Sequence, residues 1–251
     1  MAFTFVTWNV LAPSYVRASY YPRTDARYLD PLWRAPAVVA RARSLDCDVM
    51  CFQEVEASTF DALRMGLAAH SYAGVHALKE NKPDGCAVFF RVDRFQLVES
   101  RRIVYRDGSG HVAQLVTFDH EGKRIAVVNT HLKWDPQDTP AALKFGFRQA
   151  SEIIVMLQSE RARHAAQIVC GDLNVTPESD VVAEFRAAEF RAAHERGHSC
   201  NSNGAAKLID YVFYRGALQA EPIAPRAIDD ETPLPSDEEP SDHLPLMVRF
   251  A

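Results

Sequence analysis

Short apolar runs ending in polar residues recur along this chain. Residues 3–10 crowd Phe3, Phe5, Val6, Trp8 and Val10 into a β-rich stretch that predicts a buried strand, and residues 48–53 predict a second. Helical spacing of apolar positions predicts helices over 33–45, 57–69 and 178–188. The longest such pattern, 141–163, places Leu143, Phe147, Ala150, Ile154 and Leu157 on one face. Between these lie short strands at 71–76, 85–91, 96–104, 111–119 and 124–130, with Gly and Asp marking the hairpins, and later ones at 167–170, 208–214 and 244–250. Strand-rich halves that each carry helices imply an α/β protein of two packed sheets with outer helices. Residues 14–30, rich in Tyr and Arg, read as a surface loop. Residues 229–242, with seven carboxylates, read as a solvated loop.

Composition narrows the class. The 251 residues are 47% hydrophobic and 24% charged, which excludes whole-chain disorder, collagen and coiled coil. No linker divides the chain, so residues 1–251 are read as one domain. No apolar run approaches the ~20 residues of a membrane span. The N-terminal residues lack a signal-peptide pattern, and the five scattered cysteines read as buried reduced thiols, so a cytoplasmic protein is expected. The net charge of −5, from 28 basic and 33 acidic residues, excludes a broad basic track for long nucleic acid.

The candidate chemistry sits where strands stop. The ends read Thr7-Trp8-Asn9, Phe52-Gln53-Glu54, Asn129-Thr130-His131, Gly171-Asp172-Leu173-Asn174 and Ile209-Asp210-Tyr211, and Ser241-Asp242-His243 opens the last strand. If the strands lie side by side, these residues converge on one rim. Four carboxylates (Glu54, Asp172, Asp210, Asp242) and two amides (Asn9, Asn174) there suit a hard cation such as Mg²⁺. A competing motif, His194-Glu195-Arg196-Gly197-His198, fits the pattern of zinc proteases. Gly197 weakens the helix that motif needs, and the turn-like Ser199-Cys200-Asn201-Ser202 follows without a third ligand.

The order and wording of these motifs resemble the endonuclease/exonuclease/phosphatase superfamily, the DNase I-like fold, and most closely its deadenylase and nocturnin branch. Trp33-Arg34, Asp84-Gly85-Cys86-Ala87, His131-Leu132-Lys133-Trp134-Asp135-Pro136 and Pro240-Ser241-Asp242-His243 extend the resemblance, which runs from about residue 3 to 250. It implies a four-layer α/β/β/α sandwich of two mostly antiparallel sheets. It further implies phosphoester hydrolysis by in-line attack of water, with Mg²⁺ or Mn²⁺ as cofactor. Carried over, Glu54 is the principal metal ligand with Asn9 beside it, and Asp242 is the candidate for a second metal. Asp172 deprotonates the water, Asn174 fixes it, His131 donates to a phosphate oxygen, and Asp210 holds His243 against the phosphate. Lys133, Pro136 and Lys207 are the expected substrate contacts, ahead of Lys79, Lys82, Arg23 and Arg27.

Two departures matter. Val10-Leu11 stand where abasic-site nucleases carry an acid. Ala205 lies near the place of the aromatic with which deadenylases clamp adenine against the proline. The expected substrate is an RNA or oligonucleotide 3′ end. The alternatives are a small nucleotide-derived phosphate, such as a 2′-phosphorylated dinucleotide or a cyclic phosphate, and a non-catalytic binding module of the same fold. Neither a membrane nor a partner-docking repeat domain is expected.

Overall fold

Period-two alternation along strands with two buried faces decides the layering. The structure, a computed structural model, describes residues 2–136, 138–202 and 204–251. Its strands are β1 (Phe3–Asn9), β2 (Val49–Glu56), β3 (Tyr72–Leu78), β4 (Asp84–Arg91), β5 (Gln96–Val104), β6 (Val112–His120), β7 (Lys123–His131), β8 (Ala166–Asp172), β9 (Arg191–Ala192), β10 (Cys200–Ser202), β11 (Ala205–Lys207), β12 (Asp210–Gly216), β13 (Ala220–Ile223) and β14 (Leu246–Phe250). Its helices are α1 (Pro31–Leu45), α2 (Ala57–Ala68), α3 (Phe145–Ser159) and α4 (Asp180–Ala187).

Two six-stranded sheets form, ordered β13-β14-β1-β2-β4-β3 and β5-β6-β7-β8-β12-β9. Each holds a single parallel pair, β1 with β2 and β7 with β8, flanked by antiparallel neighbours. Phe5, Val49, Cys51, Val127, Ile168, Cys170 and Val212 point between the sheets. Their alternates in the first sheet, Val6, Trp8, Met50 and Phe52, pack with Val38, Ala42, Leu63 and Leu67 of α1 and α2. Those of the second, Ala126, Val128, Val169 and Phe213, pack with Ile153, Leu157, Val182 and Phe185 of α3 and α4. The result is the four-layer α/β/β/α sandwich.

The inward face of each central strand changes from apolar to polar at the same end. On β7 the sequence of inward residues is Ile125, Val127, Asn129, His131; on β8 it is Ile168, Cys170, Asp172; on β1 it is Phe3, Phe5, Thr7, Asn9. Near that end two amides clasp the sheets together. Gln53 Nε2 donates to Asn129 Oδ1 at 2.7 Å, and Asn129 Nδ2 donates to Phe52 O and Ala87 O, both at 3.0 Å.

Several expectations are corrected. The 141–163 pattern is not one helix. Ala141–Leu143 is a 3₁₀ turn, Lys144 is extended (φ −64°, ψ 132°), and α3 begins at Phe145 with Asp135 Oδ2 accepting from Gly146 N at 2.8 Å. Leu143 is therefore exposed rather than core. The loop read over 14–30 carries 3₁₀ turns at Pro13–Tyr15, Ala18–Tyr20 and Ala26–Leu29, and Tyr21 is buried. The acidic segment 229–242 is partly packed: Ile228, Leu234 and Leu244 form a small apolar cluster, and buried Glu239 pairs with Arg41 at 2.6 Å. Cys200–Ser202, read as turn-like, and Ala205–Lys207 pair as the antiparallel strands β10 and β11. The 193–199 segment contains no helix. His194 Nε2 meets Ile223 O at 3.3 Å and His198 Nδ1 meets Ile228 O at 2.8 Å, so the two histidines serve separate carbonyls and make no zinc-protease site.

Candidate active site

Backbone geometry at the strand ends aims the polar side chains. β2 carries a bulge between Phe52 and Val55, and Glu54 within it adopts φ +56°. The inserted residue turns Glu54 inward while Val55 keeps its place in the core against the helices. Two matching turns lie nearby. Asn9 Oδ1 accepts from Leu11 N, and Asp172 Oδ1 accepts from Asn174 N, each at 2.9 Å, with Leu11 at φ +57° and Asn174 at φ +55°. Non-glycine residues in this region carry strain of order 1 kcal/mol each, and here three such residues surround one pocket of polar groups. Gly171 (φ +135°) is required where it stands, because a Cβ there would lie 1.8 Å from Thr130 O.

The parallel register β7–β8 pairs His131 with Asp172, and the antiparallel register β8–β12 pairs Asp172 with Asp210. The first sheet contributes Asn9 and Glu54. Asn9 Nδ2 donates to Glu54 Oε1 and to Asp172 Oδ2, both at 3.0 Å, and so bridges the sheets. Glu54 Oε2 accepts from Ala12 N at 2.8 Å. His243 Nδ1 lies 2.8 Å from Asp210 Oδ2, which also accepts from Ser199 Oγ at 2.6 Å. His243 Nε2 is 3.7 Å from Asp172 Oδ2, and His131 Nε2 is 3.6 Å from the same oxygen. Asn174 Nδ2 reaches His131 Nε2 and Leu132 O, each at 2.9 Å. Asn9, Glu54, His131, Asp172, Asn174, Asp210 and His243 thus form one connected group. Asp242 lies at its edge, with Oδ2 accepting from Tyr21 OH at 3.0 Å.

The loops that carry these residues are strapped down. Trp8 Nε1 donates to His243 O at 2.9 Å and Ser241 Oγ to Asn9 O at 2.7 Å. Buried Arg34 donates to Pro240 O, Val10 O and Leu11 O at 2.7–2.8 Å.

Burial sets the charge states. It raises Glu54 above the usual carboxylate range, opposed by Lys79 and the Asn9 bond. It also pushes Asp172 up to about 7, with Asp210 adding to the rise and His243 working against it. For His243 burial favours the neutral ring, but Asp210, Cys200, Asp172 and Asp242 together overcome it and raise the imidazole well above its ordinary value. His131 goes the other way: burial, then the cation of Lys79, holds it neutral.

A divalent cation fits the donor set. Oδ1 of Asp210 and Oδ1 of Asp242 are buried without hydrogen-bond partners. One carboxylate oxygen each from Asp172 and Asp210 and an imidazole nitrogen of His243 lie within 4.8 Å of one another. A buried carboxylate oxygen left without a partner is costly, and a cation removes that cost.

The expected substrate contacts fare differently. Lys133 is half-buried, with its ammonium 3.4 Å from the Phe145 ring centroid, while Pro136 and Lys207 are exposed. Among the described residues, no hydrogen bond or ion pair ties any of these three side chains to the polar group. Lys79 is the lysine that reaches it. Its buried ammonium donates to Asp84 Oδ2 at 2.6 Å and lies 3.3 Å from His131 Nδ1, and Tyr15 OH donates to Asp84 Oδ1 at 2.7 Å. The signal was present in the β3–β4 hairpin. Leu78 pairs with Gly85, so Lys79 and Asp84 face each other across the turn, and Lys79 N donates to Asp84 O at 2.9 Å. Lys82 packs beside them on His111 at 2.8 Å. Arg23 instead pairs with Glu231, and Arg27 with Asp25, on the surface.

A family model described as the endonuclease/exonuclease/phosphatase family matches residues 6–243. The chain belongs to this family. Among endonuclease/exonuclease/phosphatase relatives, the CCR4-Not complex 3′-5′-exoribonuclease subunit Ccr4 of Kluyveromyces lactis is 24% identical over 99% of this chain and 41% of its own length. Nocturnin of Xenopus laevis is 27% identical over 81% of this chain and 60% of its own. The chain therefore spans about two-fifths of the Ccr4 protein and three-fifths of nocturnin. Among solved structures, ANGEL2, a 2′,3′-cyclic phosphatase, in complex with adenosine-2′,3′-vanadate superposes with a TM-score of 0.88 over 100% of this chain and 95% of that one, at 18% identity. The human nocturnin catalytic domain with bound sulfate gives 0.76 over 100% and 93%, at 24% identity. These likenesses establish the DNase I-like sandwich. No helix among the described residues is long and apolar enough to cross a membrane.

Proposed function

We propose that this chain is a Mg²⁺-dependent phosphoester hydrolase, able to use Mn²⁺, that acts on the 3′ end of RNA or a short oligonucleotide in the cytoplasm, with residues 1–251 as one catalytic domain. The observation that carries the reading is the bridge of Asn9 between Glu54 and Asp172, set beside the Asp210–His243 pair. Ccr4 is named for 3′-5′ exoribonuclease activity, which supports the substrate class.

Glu54 would hold the metal with Asn9 beside it, and Asp242 with its unpartnered Oδ1 would serve a second ion. Bound metal would neutralise the nonbridging phosphate oxygens and stabilise the leaving oxygen. The protein's own groups do the rest. Asp172, raised to about 7, takes the proton of the attacking water near neutral pH. Asn174, fixed by Leu132 O, orients that water or the phosphate. His243 stays cationic against Asp210 and faces a phosphate oxygen. Neutral His131 offers a hydrogen bond as charge develops. Lys133, Pro136 and Lys207 would contact the substrate away from the reacting phosphorus.

A second reading, hydrolysis of a small nucleotide-derived phosphate or a terminal cyclic phosphate, is favoured by Ala205. It opens β11 where a base-clamping aromatic would stand, and a stacked base is worth about 1–3 kcal/mol. ANGEL2 is named as a 2′,3′-cyclic phosphatase, in keeping with that reading. One panel separates the readings: poly(A), mixed RNA, 2′,3′-cyclic-ended RNA and NADPH, each with Mg²⁺ or Mn²⁺, scored for nucleotide and inorganic phosphate release. Bis(p-nitrophenyl) phosphate tests for hydrolysis itself. Absence of metal-dependent release from every substrate would leave a non-catalytic binding module and reject both readings.

A further inference from the structure

At one corner of the site the donor chemistry changes from hard to soft. Cys200 of β10 forms an isolated antiparallel bridge with His243. The register is locked on both sides by Asn201 N donating to Asp242 O at 2.9 Å and Leu244 N donating to Ser199 O at 2.7 Å. This brings the thiol of Cys200, a carboxylate oxygen of Asp242 and an imidazole nitrogen of His243 within 4.8 Å of one another. All three residues are buried. Asp242 is only 5% exposed, and with Oδ2 engaged by Tyr21 its Oδ1 has no hydrogen-bond partner.

Mg²⁺ has little affinity for sulphur, whereas Zn²⁺ takes thiolate, imidazole and carboxylate together in a tetrahedral set. We propose that Cys200, Asp242 and His243 form an inhibitory site for a thiophilic divalent cation, Zn²⁺ above others, completed by water. On binding, Cys200 Sγ and the His243 imidazolium each give a proton to solvent and the sulphur–zinc and nitrogen–zinc bonds form, with no change of oxidation state. Whichever imidazole nitrogen the zinc takes, His243 is withdrawn from its position between Asp210 and Asp172, and Asp242 is withdrawn from the hard-cation side. The inhibitory consequence rests on the phosphoesterase reading; the binding does not.

The test uses the full chain stripped of metal by chelation. Co²⁺ titration of the wild type in excess Mg²⁺ is expected to produce a thiolate-to-cobalt charge-transfer band in the near ultraviolet at one equivalent, erased by Zn²⁺. Cys200→Ala and the near-isosteric Cys200→Ser are expected to lose that band and to bind Zn²⁺ at least about tenfold more weakly, with circular dichroism confirming the fold. With a hydrolysed substrate, zinc is expected to suppress the wild-type rate, while each variant keeps most of its own zinc-free rate. A band that persists in both folded variants points to Cys47, Cys51, Cys86 or Cys170 and overturns the site, as does a wild type with no band. If the wild type hydrolyses nothing, the band still decides the metal site, and the functional reading alone falls.

Discussion

Asn129→Leu tests whether the clasp between the sheets also holds the candidate metal ligand in place. The substitution keeps the number and branching of the side-chain heavy atoms, replaces the amide O and NH2 with two bulkier methyls, and deletes polarity. Gln53 Nε2 retains Thr7 Oγ1 at 3.0 Å and Cys51 O at 3.3 Å, so its loss is small. The cost falls on Phe52 O and Ala87 O, which lose their Asn129 donor inside the core. An orphaned buried polar group costs about 1–3 kcal/mol, and the added apolar burial returns roughly 1–2 kcal/mol. Over the two carbonyls the balance is a destabilisation centred on about 2–3 kcal/mol, a large share of the 5–15 kcal/mol typical of a folded chain. Urea denaturation should therefore show the midpoint falling by about 1 M. Phe52 immediately precedes the bulge that turns Glu54 inward, so the Mg²⁺ concentration for half-maximal hydrolysis should rise several-fold in the variant. A wild-type midpoint would refute the energetic argument. A lowered midpoint with unchanged Mg²⁺ dependence would refute the link between clasp and bulge.

Three further perturbations have expected outcomes. Asp172→Ala should lower hydrolysis by at least about 10²-fold with the fold intact by circular dichroism, and unchanged turnover would remove Asp172 from the chemistry. Gly171→Ala forces a Cβ into Thr130 O at a backbone angle unsuited to alanine, so soluble folded protein should be lost or thermal stability sharply reduced; a wild-type melting temperature would mean that the β7–β8 pair relaxes there. Burial, with Lys79 and Lys82 nearby, lowers His111 to about 4. The unfolded chain then takes that proton more readily, so this contribution is full above pH ~6.5 and falls by about 3 kcal/mol as pH drops toward 4. His111→Asn should flatten the acid limb of the stability curve, and an unchanged limb would exclude His111 as its source.

The strands and their polar ends were legible because each central strand is a continuous apolar run, and polarity can enter it only where burial between the sheets ends. Asn9, Asp172 and Asp210 follow directly from that alternation. Glu54 was found at the strand end, but its aim depends on a bulge that no periodicity announces. Gln53 and Asn129 looked like members of the same polar clusters, yet they bond sheet to sheet. The structure shows that role only because their partners are backbone carbonyls and each other, distant in sequence. Residues 200–207 were hidden for another reason. Strands of three residues carry too few alternations to read, and their pairing to 242–244 is long-range. The α3 boundary failed because the helix start is satisfied by Asp135, ten residues before Phe145, rather than by a residue next to it.

The two sheets repeat one device at the site. Each contains a parallel pair with one strand, β1 in the first sheet and β8 in the second, that ends in a residue with an amide or carboxylate side chain, and each places a residue with positive φ two positions beyond that end. In the first sheet Asn9 anchors Leu11; in the second Asp172 anchors Asn174. The repeat is of geometry and not of charge: one half presents the Asn9 amide, and the other presents the Asp172 carboxylate that receives it. Had both positions been acidic, two buried carboxylates would face each other at hydrogen-bond distance, and one would be protonated near neutral pH. With Asn9 as donor, Glu54 and Asp172 stand on either side of a neutral amide, and the negative charge of this site is left for a cation to balance. The excess of 33 acids over 28 bases is thus compatible with a phosphate-handling site, because the acids at its centre face the cation side and the cations His243 and Lys79 are built in beside them.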